Sequence, residues 1–243
     1  MITLEICAQS ITSAVAAQAG GAQRIELCTA LEVGGLTPSQ AVLSEARKQL
    51  AIEICVLIRP RAGDFYYSNL EFDIIKKDIL FCKALGVEGI VVGILNRDRT
   101  FDLKRMEILA KLAYPLDIIS HRAFDQTPDP FAAMHQLQSI GFQRILTCGQ
   151  AQNVVAGGEI LRGLVEAADG KIEIMPGNGV NLINLKNLME NTKAQSVHTT
   201  AKTKITSPII DGTDGWRDND YWETDVEIVI QMAQILKQIK MAH

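Results

Sequence analysis

Ile52-Glu53-Ile54-Cys55-Val56-Leu57-Ile58-Arg59 is the stretch on which the fold turns. Its even-numbered positions are uniformly aliphatic, while Glu53, Cys55 and Arg59 fall on odd ones. A strand sends successive side chains to opposite faces, so one face here is greasy and the other mixed. Arg24, Glu26 and Cys28 alternate with Ile25 and Leu27 in the same way. An interior strand of an open parallel sheet is covered by helices on both faces and needs apolar residues on both. A barrel strand needs them only on its outward face, and its inward face can carry polar groups. The alternation therefore favours a closed barrel over a doubly wound open sheet.

The rest of the chain supplies the repeat that a barrel requires. Strand-like runs occur at Thr3 to Cys7, Arg24 to Cys28, Ile52 to Arg59, Gly89 to Leu95, Asp117 to His121, Arg144 to Cys148, Ile172 to Met175 and Ser196 to Thr199. Helical periodicity follows each: Ser13 to Ala19, Ser39 to Gln49, Phe72 to Leu85, Leu103 to Leu112, Pro130 to Ile140, Gly158 to Ala168, Leu182 to Glu190 and Asp225 to Ile239. Thr37-Pro38, Asp129-Pro130 and Asn181 read as helix starts, and Gly20-Gly21, Gly86, Gly141 and Gly170 as helix stops. Strict alternation implies parallel strands joined by right-handed crossovers. The expectation is α/β, a single (β/α)₈ TIM barrel over residues 1–243, with a long loop at about 201–223 after strand eight. That loop carries Gly212, Gly215, Trp216, Tyr221 and Trp222 and reads as a lid or a subunit contact.

Composition narrows the function classes. With 24 Lys and Arg against 28 Asp and Glu, the formal net charge is −4, which disfavours nucleic acid as a partner. No apolar run reaches the roughly 18 residues of a membrane helix, and Met1-Ile2-Thr3-Leu4-Glu5 lacks the basic start of a signal peptide, so a cytoplasmic protein is expected. The five cysteines are widely spaced without a CxxC pair, so reduced thiols are expected rather than a disulfide framework or zinc ribbon.

Barrel active sites sit at the C-terminal ends of the strands and on the loops that follow. Those positions hold Glu5 and Cys7, Glu26 and Cys28, Arg59 and Arg61, His121, Arg122 and Asp125, Thr147 and Cys148, Asn178, and His198. Ser120-His121-Arg122-Ala123-Phe124-Asp125 is the densest: a buried strand ending in three ionisable groups, an arrangement that marks a wet cleft or a site.

Several ordered blocks also resemble one family. Glu26-Leu27-Cys28, Gly34-Gly35-Leu36-Thr37-Pro38-Ser39, Arg59-Pro60-Arg61-Ala62-Gly63-Asp64-Phe65, His121-Arg122-Ala123-Phe124-Asp125, Ile145-Leu146-Thr147 and Met175-Pro176-Gly177-Asn178-Gly179-Val180-Asn181 together are similar to the CutC family, the copper homeostasis proteins, from Met1 to about Lys202. The resemblance implies a cytoplasmic TIM barrel, a homo-oligomer, with a role in copper handling. The chain departs from the family pattern after strand eight, where His198-Thr199-Thr200-Ala201-Lys202 ends in lysine in place of arginine.

Two chemistries fit the rim. Cu(I) is soft and prefers thiolates, which makes Cys7 and Cys28, at equivalent positions on adjacent strands, the expected copper ligands; their bland alternative is a pair of small buried hydrophobes. Alternatively, Glu5, Glu26, Arg59, His121 and His198 serve an enzyme acting on a small anionic substrate, phosphorylated or carboxylated. Arg61, Arg122 and the backbone of Gly177, Asn178 and Gly179 would then bind the anion. The bland counterpart is an internal ion-pair network in which Glu26 neutralises Arg59.

Overall fold

A computed structural model describes residues 2–207 and 220–239. Eight parallel strands, each but the last followed directly by a helix, form a barrel. The strands are β1 (Thr3–Ala8), β2 (Arg24–Leu27), β3 (Glu53–Leu57), β4 (Gly89–Val92), β5 (Asp117–Ser120), β6 (Arg144–Thr147), β7 (Glu173–Pro176) and β8 (Ser196–Thr199). The helices are α1 (Ile11–Ala19), α2 (Gln40–Gln49), α3 (Asn69–Leu85), α4 (Leu103–Ala113), α5 (Pro130–Ser139), α6 (Gly158–Ala168), α7 (Leu185–Thr192) and α8 (Val226–Gln238). The hydrogen-bonded order runs β7-β6-β5-β4-β3-β2-β1-β8. Side chains close the remaining seam: Ser196 Oγ donates to Glu173 at one end, and Thr199 Oγ1 donates to the Val180 carbonyl, 3.0 Å away, at the other.

The alternation in β3 resolves as a barrel strand should. Ile54, Val56 and Ile58 join the continuous core between strands and helices, with Ile25 and Leu27 of β2, Ile90 and Val92 of β4 and Ile118 of β5. Cys55 and Leu57 face inward, where they pack with Cys7, Cys28, Val91 and Ile119. Each fully buried Ile or Leu of the outer layer contributes about 1.5 to 3 kcal/mol by leaving water, so the outer layer carries most of the stability. The inward positions are thereby free to hold polar groups.

Helix starts follow local chemistry. Ser68 and Glu71 form a reciprocal capping box on α3, and Asp129 caps α5 with Pro130 in its first turn. The start of α7 differs from expectation: Asn181 Oδ1 accepts from the backbone N–H groups of Ile183 and Asn184, folding a turn of its own, so the helix begins at Leu185. After β8, the expected loop begins and ends as an antiparallel ribbon, β9 (Lys202–Ile205) with β10 (Tyr221–Thr224). Trp216, Gly212 and Gly215 lie outside the described residues. No helix among the described residues is long and apolar enough to cross a membrane.

Candidate functional site

Strand register determines which inward groups meet. Glu5 pairs in register with Arg24 and with His198, and Cys7 with Glu26. At the Glu5 level, buried charges neutralise one another: Arg24 Nε donates to Glu5, and its other nitrogens lie 3.6 Å from Glu53 and 3.8 Å from Glu173. Arg144 is held 3.3 Å from both Asp117 and Glu173. His198 Nδ1 lies 2.7 Å from Glu5 Oε1. Burial alone would raise the Glu5 carboxyl, but the His198 hydrogen bond and the Arg24 charge overturn that and hold it at about 2. Burial works against protonated His198 as well, and its bond to Glu5 with the charge of Glu26 raises it above its ordinary value.

Above this level opens a cavity of about 680 Å³. The residues expected at the strand ends and the anion turn line it: Cys7, Glu26, Cys28, Arg59, His121, Arg122, Asp125, Thr147, Cys148, Gly177, Asn178, Gly179 and His198. Glu5 lies beneath, buried in the ion-paired layer. Arg61 is elsewhere, engaged by Glu71 at 2.5 Å and Asp64 at 2.8 Å, and does not line the cavity. Lys202, named in the sequence only as part of a motif, lines the mouth from β9 and rests on the Trp222 ring.

On the β1, β2 and β8 side the sulfur atoms of Cys7 and Cys28 are 3.7 Å apart. Ligand-capable atoms of Cys7, Glu26 and His198 lie within 4.8 Å of one another, and all three residues are buried. Glu26 Oε1 is 3.9 Å from Cys7 Sγ, and its Oε2 has no hydrogen-bond partner among the described residues. Burial and the nearby Glu5 charge lift the Glu26 carboxyl to about 7. The hydrogen bond to Cys28, burial and the carboxylates around it push the Cys7 thiol well up. A sulfur, an imidazole and an orphaned carboxyl oxygen in one buried cluster, with the Cys28 sulfur beside that of Cys7, make a donor set suited to a soft or borderline metal ion.

On the other side, the Glu26–Arg59 pair of the ion-pair alternative does not form. Glu26 is in register with Cys55, four residues before Arg59, which is about 13 Å at the usual rise of a strand. Arg59 donates instead to the carbonyls of Val33, Gly35 and Gly63 at 2.8 to 2.9 Å, and its Nε has no partner among the described residues. His121 packs against Phe65 with ring centroids 4.6 Å apart and planes inclined by 42°, and its Nδ1 accepts from the Ala123 backbone N–H at 3.1 Å. Burial and the charges of Arg59 and Arg122 drive His121 down to about 3, so the ring is neutral and carries its proton on Nε2. That N–H also lacks a partner among the described residues. At the rim, Asp125 ties two loops together by accepting from Thr147 Oγ1 at 2.5 Å and from the backbone of Cys148 and Gln150.

The fold and this mouth define the class: a (β/α)₈ barrel whose strand ends enclose a polar cavity with paired thiols and a histidine. The CutC family model matches residues 2–203, and the chain belongs to that family. It is 39% identical over 237 residues to a CutC family protein of Xanthomonas axonopodis pv. citri, covering 97% of this chain and 99% of the relative. It is 40% identical over 200 residues to the human copper homeostasis protein cutC homolog, covering 82% of this chain and 73% of the relative. The crystal structure of CutC from Streptococcus agalactiae superposes with a TM-score of 0.79 at 36% identity, covering 82% of this chain and 99% of that one.

Proposed function

We propose that this chain serves copper homeostasis by binding Cu(I) through Cys7 and Cys28, with His198 as a third donor, and that it does so in the cytoplasm as a homo-oligomer of single barrel domains. The observation that carries the reading is the sulfur pair 3.7 Å apart at the floor of the cavity, beside a histidine oriented by a buried carboxylate. Soft sulfur donors suit Cu(I), and a histidine whose other nitrogen is fixed by a carboxylate is a well-oriented ligand. Relatives named for copper homeostasis support the metal. Glu26 is too hard a donor to be a preferred Cu(I) ligand. At 3.9 Å from Cys7 it is suited to take the proton that the thiol must lose when metal binds. Native mass spectrometry after anaerobic Cu(I) loading tests this: wild type retains copper and Cys7→Ser/Cys28→Ser does not. Equal stoichiometry in the two sinks the site.

Glu26 also favours a second reading, in which the barrel is an enzyme acting on a small phosphorylated or carboxylated substrate. A carboxyl lifted to about 7, with one oxygen unengaged in a cavity of about 680 Å³, is tuned for proton transfer near neutral pH. His121 and His198 share that cavity. A thermal-shift screen of phosphorylated and carboxylated metabolites checks it: a stabilising compound is expected, and uniform silence argues against it.

A further inference from the structure

The cavity has two chemically different walls, and the metal reading uses only one. The other is built from Arg59, His121 and Arg122, and it gathers positive charge and N–H donors; the nearby cavity carboxylate, Asp125, is taken up by Thr147 and Cys148, and no acid among the described residues pairs with Arg59 or Arg122. Arg59 is 5% exposed, and its partners are carbonyl oxygens, which bond the guanidinium without neutralising it. A buried charge without a counter-charge is costly, so it calls for a partner. Arg122 approaches the same place: the Cβ position above Gly34 lies 3.3 Å from Arg59 Nη1 and 3.6 Å from Arg122 Nη1. Two guanidinium groups therefore converge on one glycine, with no carboxylate bound to either among the described residues.

His121 completes the wall as a third donor. Its ring is locked between Phe65 and Gly93, where a Cβ would stand 2.8 Å from Nδ1. Because Nδ1 is already an acceptor for Ala123, the remaining nitrogen can only donate. A neutral imidazole N–H, an unengaged Arg59 Nε and a rim guanidinium are a donor set for oxygen anions, whose lone pairs can meet several N–H groups at once.

We propose that Arg59, His121 and Arg122 form an oxyanion subsite, which holds the carboxylate or phosphate group of a small organic ligand against the β3 and β5 side of the cavity. The subsite rests on the second reading above, that the cavity takes a small anion. It places that anion away from the Gly177-Asn178-Gly179 turn and does not depend on copper. Gly34, with φ of 89°, leaves the space in which the two guanidinium groups meet, and any side chain there would both strain the turn and fill it.

Isothermal titration of the full chain with inorganic phosphate and, separately, with oxalate tests this, at fixed ionic strength with chloride as the balancing anion. At least one is expected to bind with a Kd below about 10 mM. The preferred anion identifies the ligand's group as phosphoryl or carboxyl. Arg122→Ala, at an exposed position whose loss leaves the core intact, is expected to weaken binding about tenfold or more. Nitrogen NMR should show the His121 Nε2 resonance shifting on saturation. If neither anion binds, the subsite and the small-anion reading both fall. If an anion binds equally well to Arg122→Ala, or leaves His121 unmoved, the small-anion reading stands and the subsite is refuted.

Discussion

The two levels of the barrel interior are built from the same residue types and treat them in opposite ways. Around Glu5, carboxylates and guanidinium groups meet, at register partners for Arg24 with Glu5 and Glu53 and for Arg144 with Glu173, and across the barrel or along the strand for Arg24 with Glu173 and Arg144 with Asp117. Higher in the barrel, Glu26, Arg59 and His121 are as deeply buried, yet each keeps an atom without a hydrogen-bond partner among the described residues. The lower level largely accounts for its own charges; the upper one leaves buried polar atoms unpartnered among the described residues. The division is not complete: Arg144 hydrogen-bonds Asp117 at 3.3 Å, but it meets Glu173 only as a charge, and its Nε and Nη1 have no hydrogen-bond partner among the described residues. The contrast teaches that burial of charge inside the barrel is not by itself a functional signal, and that an unpartnered buried atom points to a site only where, as at Glu26, Arg59 and His121, its residue also lines the cavity.

Breaking the lower level should cost the most stability. Glu5→Gln removes the carboxylate that Arg24 and His198 share, and chemical denaturation should show a loss of roughly 3 kcal/mol or more at neutral pH. The sign with pH follows from the direction of the shift. Glu5 is held at about 2, so its contribution is present above the unfolded carboxyl value and is lost as pH falls toward 2. That acid-side dependence should shrink in the variant, and persistence of the wild-type profile would show that the pair contributes little.

At the upper level the sign reverses. Glu26 is raised to about 7, so the folded protein binds more protons than the unfolded chain between about 4.5 and 7, and this residue makes stability fall as pH rises through that window. Glu26→Gln should therefore gain on wild type by roughly 3 kcal/mol between pH 4 and pH 8, measured as the difference between the two denaturation curves. A constant difference would mean that Glu26 is not held near neutrality. The smallest effect belongs to the open edge of the lower level. Asp117, half exposed, faces Arg144 at 3.3 Å, and Asp117→Asn should cost about 1 kcal/mol or less. A larger loss would extend the tightly coupled network out to the barrel's lower rim.

The fold was legible because the alternation of aliphatic with polar residues in Ile52 to Arg59 has a physical cause that survives without coordinates: one face meets helices and the other does not. The gathering of Cys7, Glu26, Cys28, His121 and His198 was legible for the same reason, since chain order alone places strand ends at one mouth. What sequence could not give is stagger. Glu26 and Arg59 sit on neighbouring strands and look like a pair, but four residues of offset separate them, while Glu5 and His198, nearly two hundred residues apart, are register partners. Arg61 looked free for an anion until the turn that follows it brought Asp64, and the first turn of α3 brought Glu71, to its guanidinium. The β9–β10 ribbon was hidden because Lys202 to Ile205 alternates weakly and its partner strand lies across a long insertion.

The central claim is that the unpartnered upper level is a ligand site with sulfur at its floor. Copper K-edge X-ray absorption on wild type loaded anaerobically with Cu(I) tests it most directly. The account predicts a Cu(I) centre with sulfur scatterers from Cys7 and Cys28 and an imidazole contribution from His198. A spectrum with only nitrogen and oxygen neighbours, or one unchanged by Cys7→Ser/Cys28→Ser, would contradict it.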